Sequence, residues 1–331
     1  MVGLLLRLLT YMRWRLAKAR FRWDKRRRHQ KTLVARMLFR ARFSTNRILD
    51  RRSLPLGPEH EALYETIQRW HYGRTGRTSA IRRQSSVNER IQWLMLFDRD
   101  PRKERLSDKL QLKEAVATTL GTEFAVPVLQ VAERFDDLDL TRLPDRFVIK
   151  ANHDSGSVEV VRDRDVWDVA ASRSRFTNAL SRVHGQDTGE WWYESVQPKV
   201  FVEELLEEGD GSPIADFKFH CSDGRVRFAQ HLRFDGQSQC ETVLDRSGEW
   251  IPVQLNNRLQ LAEPDVRPRA WDEMVRIAEE LARGFAYVRV DCYAVNQRVY
   301  VGEMTFAPRA AGFRSSGERV LGPMLFPELP S

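Results

Sequence analysis

Two runs near the C-terminus alternate apolar with polar positions and are rich in β-branched and aromatic residues. The first run, residues 287–293, reads Tyr-Val-Arg-Val-Asp-Cys-Tyr, and the second, residues 299–306, reads Val-Tyr-Val-Gly-Glu-Met-Thr-Phe. Two such runs separated by a short connection predict a β-hairpin. Because alternate side chains of a strand share a face, Arg289, Asp291 and Tyr293 are expected on one face of the first strand.

The second strand is expected to carry Val299, Val301, Glu303 and Thr305 on one face. An odd number of connecting residues would place Asp291 directly opposite Glu303, about 5 Å away at Cβ. Two like charges that face each other destabilise a sheet unless a cation lies between them, and Mg²⁺ commonly binds one or two carboxylates plus substrate phosphates. We therefore interpret the hairpin as a platform for a metal ion and a nucleotide. The alternative is an incidental pair in which one carboxylate points to solvent.

Helical and strand patterns alternate along the rest of the chain. One helix is predicted from an N-cap at Ser107 or Asp108 to a stop at Gly121, and another from Pro268 to Gly284. Strands are predicted over residues 123–129, 147–150, 158–161, 199–206, 216–221 and 226–233. The side chains with candidate chemistry lie in these strands or directly beside them.

A small polar loop follows the strand that ends at Lys150. The loop, residues 151–157, contains Gly156, and the backbone N–H groups of such loops converge on anions. A lysine at the edge of the loop adds a point charge that suits phosphate. The loop is thus a candidate phosphate site, and the alternative is an ordinary hairpin loop with an exposed lysine.

The strand at residues 216–221 alternates strictly between charged and aromatic or apolar positions. Asp216, Lys218 and His220 share one face, and Phe217, Phe219 and Cys221 share the other. Asp223-Gly224 then gives a strong hairpin turn signal. The spacing leaves open whether Lys218 points towards a ligand or towards water.

The N-terminal arm combines an apolar stripe with a high positive charge. Residues 1–52 hold 17 basic and 2 acidic residues, whereas the whole chain has a net charge of +8. The stripe consists of Leu5, Leu8, Leu9, Met12, Leu16, Ala19 and Trp23. Such a helix suits an anionic membrane surface through residues 1–30. Docking on the protein itself or on a partner is the second interpretation, and nucleic-acid binding, suggested by Lys25–His29, is the least favoured.

Composition narrows the class of protein. The 331 residues suffice for two subdomains, and 42% hydrophobic with 30% charged residues is typical of globular proteins. Three widely spaced cysteines predict neither a disulfide framework nor a zinc site, which suits a reducing cytoplasm. The sequence contains no run of 18 apolar residues, so no membrane-spanning helix is predicted. A cytoplasmic location follows, with peripheral attachment to the inner face of the membrane if the arm binds lipid.

Taken in order, these segments resemble the ATP-grasp superfamily, and more narrowly its TupA-like branch of teichuronopeptide biosynthesis proteins. The resemblance rests on Ile91–Pro101, Ser107–Lys109, Leu143–His153 with Ser155-Gly156, Val202–Glu204, Asp216–Phe219, Val288–Tyr293 and Gly302–Phe306. It implies an α+β, ATP-grasp fold in which two α+β lobes hold a nucleotide between them, preceded by the basic helical arm. It also implies ATP and Mg²⁺ as cofactors.

The resemblance assigns roles to individual residues. Catalysis would involve Lys218, at the γ-phosphate, and Arg289. Nucleotide binding would involve Lys109, Lys150, Asn152, Ser155, Gly156, Ser157, Glu203, Glu204 and Leu205. Within that set, Glu203 would accept from the adenine amino group. Metal binding would involve Asp291, Glu303 and Thr305, the last of which stands where many ATP-grasp enzymes have Asn.

The resemblance further implies four segments and one reaction. The segments are the arm (1–55), a helical linker with the N-terminal part of the body (56–140), a nucleotide-binding lobe (141–206) and a C-terminal lobe with the metal-binding hairpin (207–331). The reaction is ligation in bacterial surface-polysaccharide biosynthesis, in which a carboxylate of an acidic glycan or precursor is activated as an acyl phosphate for attack by an amine. Arg233, Arg289 and Arg309 are candidate clamps for the acid. The alternatives are phosphoryl transfer to a sugar hydroxyl, glycosyl transfer, and a nucleotide-binding scaffold without catalysis.

Overall fold

A computed structural model describes residues 43–209, 214–234, 238–264 and 270–327. The predicted amphipathic helix at residues 1–30 lies outside these ranges. The chain divides between Pro55 and Leu56 into two compact units. In the first unit, the described residues form a helix, α1, over 43–53.

Seven helices belong to the second unit. They are α2 (Glu61–Thr75), α3 (Val87–Phe97), α4 (Arg102–Ser107), α5 (Lys109–Thr119), α6 (Val169–Leu180), α7 (Trp271–Leu281) and α8 (Gly317–Leu325), counted within the described residues. The Asp108 side chain accepts a hydrogen bond from the backbone N–H of Leu110, so this residue is the N-cap of α5 as predicted. The α7 helix lies within the predicted 268–284 segment, and Gly284 follows it with a positive φ of 76°.

A four-stranded antiparallel sheet forms one lobe. Its strands are β1 (Val128–Ala132), β2 (Phe147–Ala151), β3 (Val158–Val161) and β4 (Val200–Glu204), in the order β1-β4-β2-β3. One face packs Phe147 and Val202 against Phe176 of α6, so the alternate residues Lys150 and Glu203 lie on the opposite face.

The strand predicted at 123–129 is displaced in this sheet. A short 3-10 turn occupies Thr122–Phe124, and β1 begins only at Val128. Pro127 explains the shift, because proline has no N–H to donate to the ladder. Its carbonyl instead accepts a hydrogen bond from Glu204 N at 3.0 Å.

A seven-stranded sheet forms the second lobe. Its strands are β5 (Ala215–Ser222), β6 (Arg225–Phe234), β7 (Gln239–Asp245), β8 (Trp250–Ile251), β9 (Gln260–Leu261), β10 (Val288–Val295) and β11 (Arg298–Thr305). The order is β11-β10-β5-β6-β7-β8, with β9 beside β7. Each of the three cysteines, Cys221, Cys240 and Cys292, is buried in one of these strands as a free thiol.

The predicted C-terminal hairpin is the β10–β11 pair, and Asp291 lies directly opposite Glu303. Its turn contains only Asn296 and Gln297, whose φ angles of 48° and 65° suit a tight hairpin turn. A bulge between Asp291 and Cys292 then shifts the register by one residue. The ladder consequently pairs Cys292 with Val301 across the extra residue, Gly302.

The bulge makes one expectation wrong. Val299 and Val301 lie on the face opposite Glu303 and Thr305, because an inserted residue reverses the alternation beyond it. At the inserted residue, Gly302, a Cβ atom would lie 2.7 Å from the ring of Tyr293. Only glycine allows that ring to pack so closely on the strand.

A left-handed loop follows β11. Arg309, Ala310 and Ala311 have φ angles of 56°, 48° and 52°, a conformation that residues with a Cβ rarely adopt consecutively. Helices α2 and α3 hold it: His71 Nδ1 lies 3.1 Å from the Ala311 carbonyl oxygen, and Asn88 donates from Nδ2 to the Phe313 carbonyl at 2.9 Å. Among the described helices, none has the length and apolar character needed to cross a membrane.

Candidate functional site

A cavity of about 300 Å³ lies between the two sheets. Its apolar lining includes Val126, Val148, Val158, Val160, Leu206 and Ile214, and its charged lining includes Lys109, Lys150, Arg162, Glu203 and Glu303. Apolar walls with a few polar groups are typical of small-molecule sites. This cavity therefore has the composition needed for a flat ring that carries a negatively charged tail.

Glu203 is the centre of the charged group on the small sheet. Lys113 Nζ lies 2.8 Å from Glu203 Oε2, and Lys150 Nζ pairs with Oε1. Although burial opposes ionisation, Lys150 and Lys113 hold the pKa of Glu203 below its usual value. Both carboxylate oxygens are thus engaged by lysines, and an adenine amino group can reach this carboxylate only if a lysine moves.

The predicted phosphate loop lies beside Lys109, whose Nζ donates to the Asp154 carbonyl. Ser157 Oγ donates to Asp154, while Ser155 and Gly156 are exposed. Asn152 differs from these loop residues, because its side chain is fully buried and does not line the cavity. It bonds to Lys199 N at 2.7 Å and to the Gln197 carbonyl at 3.0 Å, so it supports the loop from below.

Glu204 and Leu205 both line the cavity where β4 ends. The Glu204 N–H is already bonded to the Pro127 carbonyl. This N–H group is therefore not available to a ligand. The resemblance implied that these two residues bind the nucleotide, and both lie in the lining of the cavity.

Asp291 is the centre of the second charged group, on the large sheet. Arg289 binds it with two nitrogens, Nε to Oδ1 at 2.6 Å and Nη2 to Oδ2 at 2.7 Å. Lys218 Nζ adds a contact to Oδ2 at 2.8 Å and reaches Asp216 Oδ2, also at 2.8 Å. Burial opposes the charge on Lys218, yet Asp291 and Asp216 raise its pKa above the ordinary value.

Glu303 and Thr305 extend this network towards the cavity. The Thr305 hydroxyl donates to Glu303 Oε1 at 3.0 Å and accepts from Arg289 Nη2 at 3.0 Å. Glu303 lines the cavity, whereas Asp291 is 2% exposed. The neutralising partners of Asp291 are therefore a lysine and an arginine of the chain itself.

The donors at the hairpin fit Mg²⁺ in type. Asp291, Glu303 and Thr305 offer hard oxygen atoms, the ligands that this ion prefers. Within the described residues, no group of three or more His, Cys, Asp or Glu side chains forms a metal site by itself. This set matches an ion that is held by one or two carboxylates together with the phosphates of a bound nucleotide.

The sequence did not predict a role for Lys113, Glu190 or Tyr193, and of these Lys113 contacts the site through Glu203. Lys113 is one helical turn after Lys109, so the i, i+4 spacing on α5 gave a signal for it. Glu190 and Tyr193 lie in a segment that had no recognised pattern. Burial raises the pKa of Glu190 to about 7, and Glu303 adds a smaller contribution in the same direction.

A family model for TupA-like ATPgrasp matches residues 89–325. No curated protein matches the chain. Among solved structures, the D-alanine–D-alanine ligase of Helicobacter pylori is 14% identical, with a TM-score of 0.37, and covers 68% of this chain and 61% of its own.

Two further solved structures have similar values. The ATP-grasp ligase PsnB with its minimal precursor is 14% identical at a TM-score of 0.36, covering 69% of this chain and 61% of its own. The Bacillus anthracis D-alanine–D-alanine ligase with ATP is 17% identical at 0.35, covering 61% and 55%. The chain thus spans less than two thirds of each of these structures.

Proposed function

The chain belongs to the TupA-like ATP-grasp family, and from this we propose that it is an ATP- and Mg²⁺-dependent ligase that joins an acidic glycan or glycan precursor to an amine. The observation that carries the proposal is the cavity itself. It joins apolar walls at Val126 and Val148 to Lys109 and Lys150, and it ends at Glu303 of the β10–β11 hairpin.

The nucleotide is oriented by this lining. The adenine ring packs on the apolar residues near Glu204 and Leu205, since these lie at the end of β4 away from the loop at residues 151–157. Lys109 and Lys150 contact the phosphates as point charges. Lys150 leaves Glu203 to do so, and Lys113 remains to neutralise that carboxylate.

Glu303 and Asp291, with Thr305 beside them, would hold Mg²⁺, which supplies neutralisation of the charge that develops on the phosphates. The chain's own residues do the rest. Lys218 stays protonated between Asp216 and Asp291 and would neutralise the transferred γ-phosphoryl group. Arg289 keeps Asp291 in place with Nε and Nη2, which leaves Nη1 to orient the acceptor.

The proposed reaction has two steps. A carboxylate oxygen of the acceptor bonds to the γ-phosphorus while the bond between that phosphorus and the leaving oxygen of ADP breaks. The amine nitrogen then bonds to the acyl carbon, phosphate leaves, and the nitrogen loses a proton. Positioning and charge neutralisation are the contributions of the protein to such phosphoryl transfer.

The test uses ATP labelled on the γ-phosphate, with Mg²⁺, an acidic sugar such as galacturonate, and an amino acid. We expect ADP and phosphate to form together with a new amide, and Glu303→Gln to lower turnover at least about tenfold. The matched control is Glu273→Gln, an exposed glutamate of α7. Release of AMP, or full turnover by Glu303→Gln, would contradict the proposal.

A further inference from the structure

The left-handed loop after β11 is surrounded by arginines. Arg309 and Arg314 belong to its sequence, Arg74 comes from the end of α2, and Arg258 comes from the connection between β8 and β9. Packing is close: a Cβ atom on Gly312 of the loop would lie 3.0 Å from Arg74 Cγ. Trp70 Nε1 also donates to the Arg309 carbonyl at 3.5 Å.

These arginines have no acidic partner of their own. Among the ion pairs of the described residues, none involves Arg74, Arg258, Arg309 or Arg314. Arg74 Nε is buried without a hydrogen-bond partner in the structure. An unpaired buried charged donor is destabilising. Such a group is expected to have a partner in the working complex.

The arginines of the cluster repel one another, and a bound anion would relieve this repulsion. Burial, followed by the charges of Arg258 and Arg314, lowers the pKa of Arg74. Burial and Arg74 likewise lower the pKa of Arg309. The carboxylate of Glu241 acts in the opposite direction and raises the pKa of Arg309. Its Oε2 already accepts hydrogen bonds from the N–H groups of Leu255 and Asn256 at 3.0 and 2.9 Å.

The cluster borders a second cavity of about 430 Å³, which Arg314 lines together with Arg77, Arg83 and Ser79. The charge of Arg289 also helps to lower the pKa of Arg309. Ser79 is 3% exposed, and its Oγ has no hydrogen-bond partner. A ligand that contacts Arg314 therefore has room to extend into this cavity.

We propose that Arg74, Arg258, Arg309 and Arg314 bind a second negatively charged group of the acceptor, which makes the substrate a polyanionic glycan. This rests on the ligase function proposed above. Planar guanidinium groups bind carboxylate and phosphate oxygens in pairs. A glycan with a single acid group would fill only the position at Arg289.

The test measures binding to the full chain in saturating MgADP, which occupies the nucleotide cavity. The probes are tetragalacturonate for carboxylates, fructose 1,6-bisphosphate for phosphates, and neutral maltotetraose. We expect at least one acidic probe to bind and maltotetraose not to bind. Arg74→Gln and Arg314→Gln should each weaken binding at least about tenfold, and Arg74→Lys less.

The control is Arg276→Gln, an exposed arginine of α7, which should bind as the wild type does. Binding that survives both cluster substitutions would belong to the basic N-terminal arm and would overturn the assignment, as would the failure of both acidic probes. MgADP binding is measured separately by thermal stabilisation. Its absence would refute the ligase function, whereas its presence without probe binding would refute only the acceptor site.

Discussion

Two buried carboxylates, one in each lobe, are each held between two cations, but the cations differ. Glu203 is held by two lysines from different elements, Lys113 of α5 and Lys150 of β2. Asp291 is held by Arg289, two residues away on its own strand, and by Lys218. A lysine is a mobile point charge, whereas the arginine fork fixes the geometry of the carboxylate it binds.

The difference indicates a division of labour between the lobes. Under the proposed function, Lys150 of the small sheet would transfer from Glu203 to an incoming phosphate, since the carboxylate would keep Lys113 as a partner. The Arg289–Asp291 pair stays in place and positions the residues around it. The small lobe would then act as the adjustable side of the site and the large lobe as the fixed side.

The largest expected effect is on the fixed side. Lys218→Met should lower ATP-dependent turnover about 10²- to 10³-fold, because it removes a preorganised charge at the transferred group. Lys113→Met should lower turnover only about tenfold or less, because Lys113 acts through Glu203. Steady-state rates at saturating ATP measure the turnover of both variants. Equal losses of turnover in the two variants would contradict the distinction between an adjustable and a fixed side of the site.

Glu203→Gln should reduce the free energy of unfolding by about 3 kcal/mol, because it leaves two half-buried lysines without their carboxylate. The double variant Glu203→Gln/Lys113→Met should be less destabilised than the single variant, since one of the two unpaired charges is gone. Urea unfolding of the three proteins measures this. A double variant that is less stable than either single variant would contradict the pairing.

Glu190 is a buried carboxyl whose hydrogen-bond partner is the Thr188 hydroxyl at 2.7 Å, and burial raises its pKa to about 7. The folded protein therefore holds this proton more tightly than the unfolded chain, so stability falls as pH rises from about 4.5 to about 7. Glu190→Gln should remove that slope, which amounts to roughly 3 kcal/mol at most. Urea midpoints across this pH range are the measurement, and a slope unchanged in the variant would refute the assignment.

Gly302→Ala should have the smallest effect, a loss of roughly 1–2 kcal/mol in unfolding free energy, because the new Cβ would displace the Tyr293 ring. Gly73→Ala is the matched control, since no atom lies within 4 Å of a Cβ there. Thermal melting of both variants compares them. Equal melting temperatures would show that the bulge tolerates a side chain.

The positions of strands could be predicted from the sequence better than their register and their side-chain contacts. The β2 and β3 segments followed from the residue pattern. The Asp291–Glu303 pairing was expected for an odd number of connecting residues, but the structure reaches it through a two-residue turn and the bulge at Gly302. The bulge at Gly302 could not be predicted, because a glycine in a strand is compatible with either register. The ion pairs of Asp291 with Arg289 and Lys218 could not be predicted either, because they depend on β5 lying beside β10. No sequence pattern indicated a role for Arg74, because its helix lies outside the segments that carried the resemblance.

The burial of all three cysteines in the large sheet has a practical consequence. Burial raises the pKa of Cys221 and Cys292 above the ordinary value, and Cys240 is 2% exposed, so native thiols should resist maleimide dyes in the folded protein. One cysteine introduced on the exposed surface of each lobe would then be selectively labelled. Fluorescence transfer between such labels would report opening and closing of the protein around its nucleotide without any background from its own sulfur atoms.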